Sequence, residues 1–228
     1  MMYIANAKLR TTLSIVIPAL LIPCTVILGA LLFDAKSYLF VSLAVAILSL
    51  LLLIAGFDQK DIGTRRTVLV SVMVALCVVG RLIPLFKPIT AIVVLSALYL
   101  GPQAGFYTGA VAALLSNFMF GQGPWTPFQM LAWGLIGLFA GLLAKPLHKS
   151  RVLLLLYGAL AGVAFSAVMD VWSVLWMTEE LSPAGYLSAL VTALPHTALY
   201  TVSNVVFLWI FAKPFGDKLQ RIKVKYGI

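Results

Sequence analysis

Eight apolar runs, at roughly residues 12–33, 38–56, 67–86, 89–100, 104–119, 126–146, 152–176 and 186–212, divide the chain, and nearly all its charge lies between or at the ends of them. Runs of this kind constrain the fold before any single residue is considered. Lipid offers no hydrogen bonds, so backbone amides that cross it must be satisfied within helices or a closed barrel. The balance of residues agrees: 62% are hydrophobic and 10% charged, whereas soluble domains lie near about half apolar and about a quarter charged. The reading is an all-α integral membrane protein. No soluble domain, internal repeat or low-complexity linker is evident.

Lys8 and Arg10 precede a first run of about 22 residues, longer than a signal-peptide core and long enough to span. "LIPC" (21–24) places Pro23 where a lipoprotein cleavage box needs a small residue, so this segment reads as a retained helix. Cys24 and Cys77 both fall mid-run, as small apolar-phase residues rather than a disulfide framework.

Runs four and five are short and meet at "YLGPQAG" (99–105), where Gly101-Pro102 interrupts the helix. A single broken helix and a tight helical hairpin both fit that pattern, and charge decides between them. With eight helices and both termini cytoplasmic, thirteen basic residues fall inside: Lys8, Arg10, Lys60, Arg65, Arg66, Lys145, Lys149, Arg151, Lys213, Lys218, Arg221, Lys223 and Lys225. Only Lys36, Arg81 and Lys87 fall outside, beside an acidic loop at Glu179-Glu180. Merging the two short runs would move Lys145, Lys149 and Arg151 outside, so the hairpin is the expectation. The net charge of +9 is thereby accounted for at a membrane face. No basic aromatic platform for nucleic acid is present.

This topology gathers polar and aromatic residues at the outer side. "NFMFGQGPWTPFQM" (117–130) supplies Asn117, Gln122, Trp125 and Gln129, with Trp133 one turn further on. Trp125, Gln129 and Trp133 are spaced i, i+4, i+8 and share a helix face. A glutamine inside the membrane needs hydrogen-bond partners, from other helices or from a ligand. Arg81 ends run three, and Asp170 with Trp172 and Trp176 ends run seven. An Arg81–Asp170 structural pair and direct ligand contact both remain open. Trp176 reads as an interface anchor and Trp172 as the better ligand candidate. His196 follows Pro195, where a kink would open the wall of a pocket; Tyr200 and Asn204 read as interhelical hydrogen-bonding residues. Together these residues predict an outward pocket for a small or medium organic ligand.

Small residues recur at Ser71 and Ala75, at Gly105 and Gly109, and at Gly134, Gly137 and Gly141. They mark close helix contacts, within the chain or with another subunit. Metalloprotease, hydrolase, P-loop and cysteine–histidine metal signatures are absent, as are an arginine ladder and a selectivity filter. No metal is expected.

From Thr67 to about Ala212 the chain resembles the substrate-binding (S) components of energy-coupling factor (ECF) vitamin transporters. The likeness is carried by "GRLIP" (80–84), "ALYLGPQAGFYTGAVAALLSNFMFGQGPW" (97–125) and "PFQMLAWGLIGLFAGLL" (127–143). It implies a six-helix bundle that binds a vitamin near the outer surface of a prokaryotic plasma membrane. It also implies a membrane T subunit and two cytoplasmic ATPase subunits, against which the S component topples to deliver its ligand. ATP would be used by those partners, with no covalently held cofactor on this chain. The small-x-x-x-small surface for the T subunit maps onto Ser71 and Ala75, serine replacing the usual alanine. Ligand sites in the family come from outer loops and the later helices, where Asn117, Trp125, Gln129, Trp133, Asp170 and Trp172 fall here; Arg81, Gln122 and His196, singled out by their place at the outer side, complete nine candidate substrate-binding residues.

Residues 1–66 depart from the pattern, adding two helices before the core (67–212); a basic tail (213–228) follows it. "GQGPWTPFQM" resembles the cobalamin-type subgroup most, making cobalamin or cobinamide the first expectation for the ligand. Riboflavin or another flat vitamin suits much of the same lining. An intramembrane enzyme using Asp170 and His196 is the competing class.

Overall fold

Proline and glycine decide where the helices of this chain bend and stop. A computed structural model describes residues 4, 6–32, 38–56, 60–178 and 181–227; Lys36, Glu179 and Glu180 lie outside the described residues. Every regular element among those described is helical. α1 (Ala7–Val16) is capped by Asn6, whose Oδ1 accepts from the Leu9 amide at 3.2 Å. It passes through a π-helical turn (Ile17–Leu21) into α2 (Ile22–Leu32). Pro18 lies in that turn and Pro23 two residues beyond it, and a ring without an N–H disrupts the regular helical ladder. α3 (Tyr38–Ala55) and α4 (Lys60–Gly80) follow.

The short apolar runs become α5 (Ile89–Leu100) and α6 (Pro102–Phe120). Gly101 between them has φ +94°, a conformation that only glycine adopts readily, and Pro102 opens α6 at a position where no amide donor is needed. The chain reverses there. Ser96 and Thr108 face each other across the hairpin, their hydroxyl oxygens 2.8 Å apart. α7 (Thr126–Leu142), the short α8 (Ala144–Lys149), α9 (Arg151–Thr178) and α10 (Pro183–Tyr226) complete the fold. Segments 7–31, 38–55, 151–178 and 183–226 are long and apolar enough to cross a bilayer, while α5 and α7 are shorter apolar helices.

The glycine stripes of α6 and α7 meet each other within the chain. A Cβ on Gly105 would lie 2.7 Å from the Gly137 carbonyl oxygen, and one on Gly109 would collide with the carbonyl of Trp133. Backbone therefore rests on backbone along this pair, the approach that small residues allow in membranes. Gly162 brings α9 against the α10 backbone at Thr201, and Gly158 leaves room for the Leu208 side chain. α3 packs on α6 and buries Val41, Val45, Leu52 and Leu53, so the N-terminal helices lie beside the bundle.

Arg66 ties the far end together. Its Nη1 donates to Gly56 O at 3.0 Å and its Nη2 to Leu100 O, carbonyls at the C-terminal ends of α3 and α5. A cation at helix C-termini meets both orphan acceptors and the negative end of the dipole. The basic segment after residue 212 is helical, continuing α10 through Pro214. Leu219 is buried there, and Arg65 Nη1 donates to Tyr226 O at 2.6 Å, so packing holds the extension helical.

Gly109→Leu should lower the melting temperature in detergent by several degrees, since overpacking a dry contact costs about 1–3 kcal/mol or more. An unchanged thermal unfolding curve would mean that α6 and α7 are not in backbone contact.

Candidate functional site

The residues of the 117–130 stretch divide between a buried network and a cavity wall. Gly121 turns the chain at φ +98°, and the Trp125 ring lies over Gly123 where a side chain would stand. Thr126 then joins the turn to α7: its hydroxyl donates to Gln122 Oε1 at 3.0 Å and accepts from Asn117 Nδ2 at 2.8 Å. Gln122 Nε2 donates to Leu114 O at 2.9 Å. Asn117, fully buried, also donates to Gln129 Oε1 at 2.9 Å.

Arg81 completes this network from the end of α4. Its Nη1 donates to Ser116 Oγ at 2.5 Å and Asn117 Oδ1 at 2.7 Å. The guanidinium lies 4.9 Å from the Phe120 ring and 5.3 Å from the Trp133 ring. Its partners are thus on α6, and it forms no pair with Asp170. Ser116 and Asn117 present acceptors directly to the end of α4, whereas Asp170 sits across the bundle on α9.

Above this layer, α7, α9 and α10 enclose a cavity of about 760 Å³. Trp125 and Gln129 reach it from α7 and the turn before it, Asp170 and Trp172 from α9, and His196 from α10. Two aromatic series build its walls. Trp172 lies 6.4 Å from Trp125, 5.8 Å from Phe128 and 5.3 Å from Trp176 between ring centroids. In the second, Trp133 stacks on Phe165 at 4.5 Å, Phe165 on Tyr200 at 5.2 Å, and His196 meets Tyr200 edge-on at 4.7 Å. Asp170 is 6% exposed, and its Oδ2 has no hydrogen-bond partner.

Five of the nine expected ligand residues therefore line one cavity: Trp125, Gln129, Asp170, Trp172 and His196. Arg81, Asn117, Gln122 and Trp133 lie outside the lining. Trp133 is 0% exposed behind Phe165, its indole N–H donating to Thr90 Oγ1 at 3.1 Å. Sequence reasoning missed Phe165, Ser166, Met169 and Ser173 on α9 and Ser188 and Thr192 on α10. A signal existed, because Ser188, Thr192, His196 and Tyr200 recur every four residues and mark one helix face. Tyr200 joins the lining as well as packing between helices, while Asn204 holds α10 to α9 through Gly158 O at 3.1 Å. Ser71 and Ala75 are both exposed on α4, on a face shared with Val68, Val72 and Val79.

Among the described residues, the regular structure is all helical, with several bilayer-length apolar helices and an aromatic cavity holding a carboxylate, the architecture of a helical membrane protein. Residues 61–221 match the family described as ECF-type riboflavin transporter, S component. The chain belongs to that family, whose members are substrate-binding subunits of transporters rather than enzymes, and it is a multi-pass membrane protein. No curated protein and no solved structure matches it.

Trp133→Ala should cost about 3–5 kcal/mol of stability, as for other fully buried aromatic rings. Trp172→Ala should leave thermal unfolding near wild type and weaken ligand binding in a tryptophan-fluorescence titration. The reverse pattern would place Trp133, not Trp172, at the ligand.

Proposed function

We propose that this chain is the S component of an ECF-type importer and binds a vitamin in the cavity between α7, α9 and α10. The observation that carries the reading is that cavity, set in the family-matching segment and combining aromatic walls with a buried carboxylate. At about 760 Å³ it falls within the ~300–1,000 Å³ of sites that enclose drug-sized ligands. A flat heteroaromatic vitamin such as riboflavin, which the family description names, fits between its tryptophans and Phe165. A corrinoid, cobalamin or cobinamide, is the second reading. Its support is the exposed rim at Met177, 82% accessible, where part of a macrocycle could rest outside the cavity. Asp170 and His196 share the cavity without a hydrogen bond between them, an arrangement that suits ligand contact better than acid–base chemistry.

Delivery across the membrane is assigned to other chains, a T subunit and two ATPase subunits, because this one carries no P-loop. Ser71 and Ala75, in the exposed apolar face of α4, are the proposed T-subunit contact. The proposed arrangement is a six-helix core (67–212) in a prokaryotic plasma membrane with both termini cytoplasmic. Residues 1–66 form an added two-helix brace, and 213–228 a basic cytoplasmic extension.

Titration of the purified protein with riboflavin, cobalamin and cobinamide tests the ligand, and saturable binding of none of them would overturn the reading. Ala75→Leu should leave the Kd unchanged. Uptake by cells that also express the T and ATPase subunits should fall at least about tenfold, a coupling loss of about 1.4 kcal/mol. Undiminished uptake would move the T-subunit contact elsewhere.

A further inference from the structure

The hydrogen-bonding polarity of the cavity is uneven, and this restricts its ligand. On the α9–α10 side the hydroxyl protons of Ser166, Ser173 and Thr192 are already donated. Ser173 donates to Met169 O at 3.1 Å and Thr192 to Ser188 O at 2.9 Å. Thr197 donates to Ala193 O at 3.1 Å, so in its 2.5 Å contact with Ser166 the proton comes from Ser166. These oxygens face a ligand only as acceptors. Among them stands Asp170, 94% removed from solvent by its 6% exposure, with Oδ2 unpartnered. A buried acceptor without a donor is costly, and a ligand that supplies the donor recovers that cost.

Among the described residues, no lysine or arginine in the lining balances this carboxylate. Arg81 is held by Ser116, Asn117, Phe120 and Trp133 outside the cavity. Lys87 lies 5.3 Å over the Phe120 ring, also outside the lining. Across the cavity the polarity reverses. Gln129 Oε1 accepts from Asn117, which leaves the Gln129 amide N–H groups for an acceptor on the ligand.

We propose that Asp170 is the specificity-determining residue of this site: it accepts an N–H or O–H donor of a neutral or cationic heterocycle, and it rejects the phosphorylated form of the same compound. The inference rests on the vitamin-binding reading above and adds the charge class of the ligand. A phosphate monoester brings almost two negative charges beside the Asp170 carboxylate and no donor to meet its free oxygen, so discrimination comes from repulsion as well as attraction.

The test compares riboflavin with riboflavin 5′-phosphate, and cobinamide with cobinamide phosphate, on the purified full chain by tryptophan quenching and radioligand retention. Wild type should bind the unphosphorylated member of a pair at least tenfold more tightly. Asp170→Asn, which keeps the shape and removes the charge, should weaken that member at least tenfold and narrow the ratio within the pair. Equal or tighter wild-type binding of a phosphorylated form overturns the proposal without requiring any variant to fold. Binding of a neutral compound that Asp170→Asn does not change overturns it while leaving the transport reading intact. Binding of no compound by wild type overturns both.

Discussion

The backbone contact between α6 and α7 is the constraint on which the rest of the molecule depends. With no Cβ at Gly105, Gly109 or Gly137, the two helices lie closer than any side-chain-mediated packing permits. That closeness sets Asn117 of α6 within hydrogen-bond reach of Thr126 and Gln129 at the start of α7. A larger separation would leave the N–H groups of the buried Asn117 amide without partners, a cost of about 1–3 kcal/mol.

The polar network works outward from that contact. Arg81 closes it from α4 through Ser116 and Asn117, and aromatic faces cover the guanidinium where hydrogen bonds end. Neutral acceptors and π-faces meet this cation on α6 and α7, its Nε has no hydrogen-bond partner, and Asp170 stays at the cavity on α9. The same arrangement orients Gln129, whose carbonyl is engaged below and whose N–H groups remain for a ligand. Fold stability and ligand selectivity thus share residues, with Asn117 and Gln129 on the boundary between them.

Much of the site was legible before the structure. Trp125, Gln129, Asp170 and Trp172 stood out because a polar or aromatic residue inside an apolar run is costly and needs a reason to be there. Trp133 met the same criterion for a different reason, since it fills the layer beneath the cavity. Phe165 and Met169 gave no signal, being ordinary apolar residues in an apolar helix. Arg81's partner was undetermined for a related reason: sequence gives the height of a residue along its helix, and hydrogen bonding depends also on which neighbouring helix it faces.

Sequence by itself determined the all-helical membrane character, the reversal at Gly101 and the close-packing stripes. Each follows from local or one-dimensional physics: backbone satisfaction in lipid, a Gly-Pro helix break combined with the side of the membrane that basic residues favour, and the spacing of small residues along one helix face. Tertiary structure alone decided that the α6 and α7 stripes meet each other, that Arg81 turns to α6, and that Asp170 keeps an unpartnered oxygen. Those outcomes depend on the rotation of each helix about its axis, which is set by the packing of all the others together and is written in no single segment.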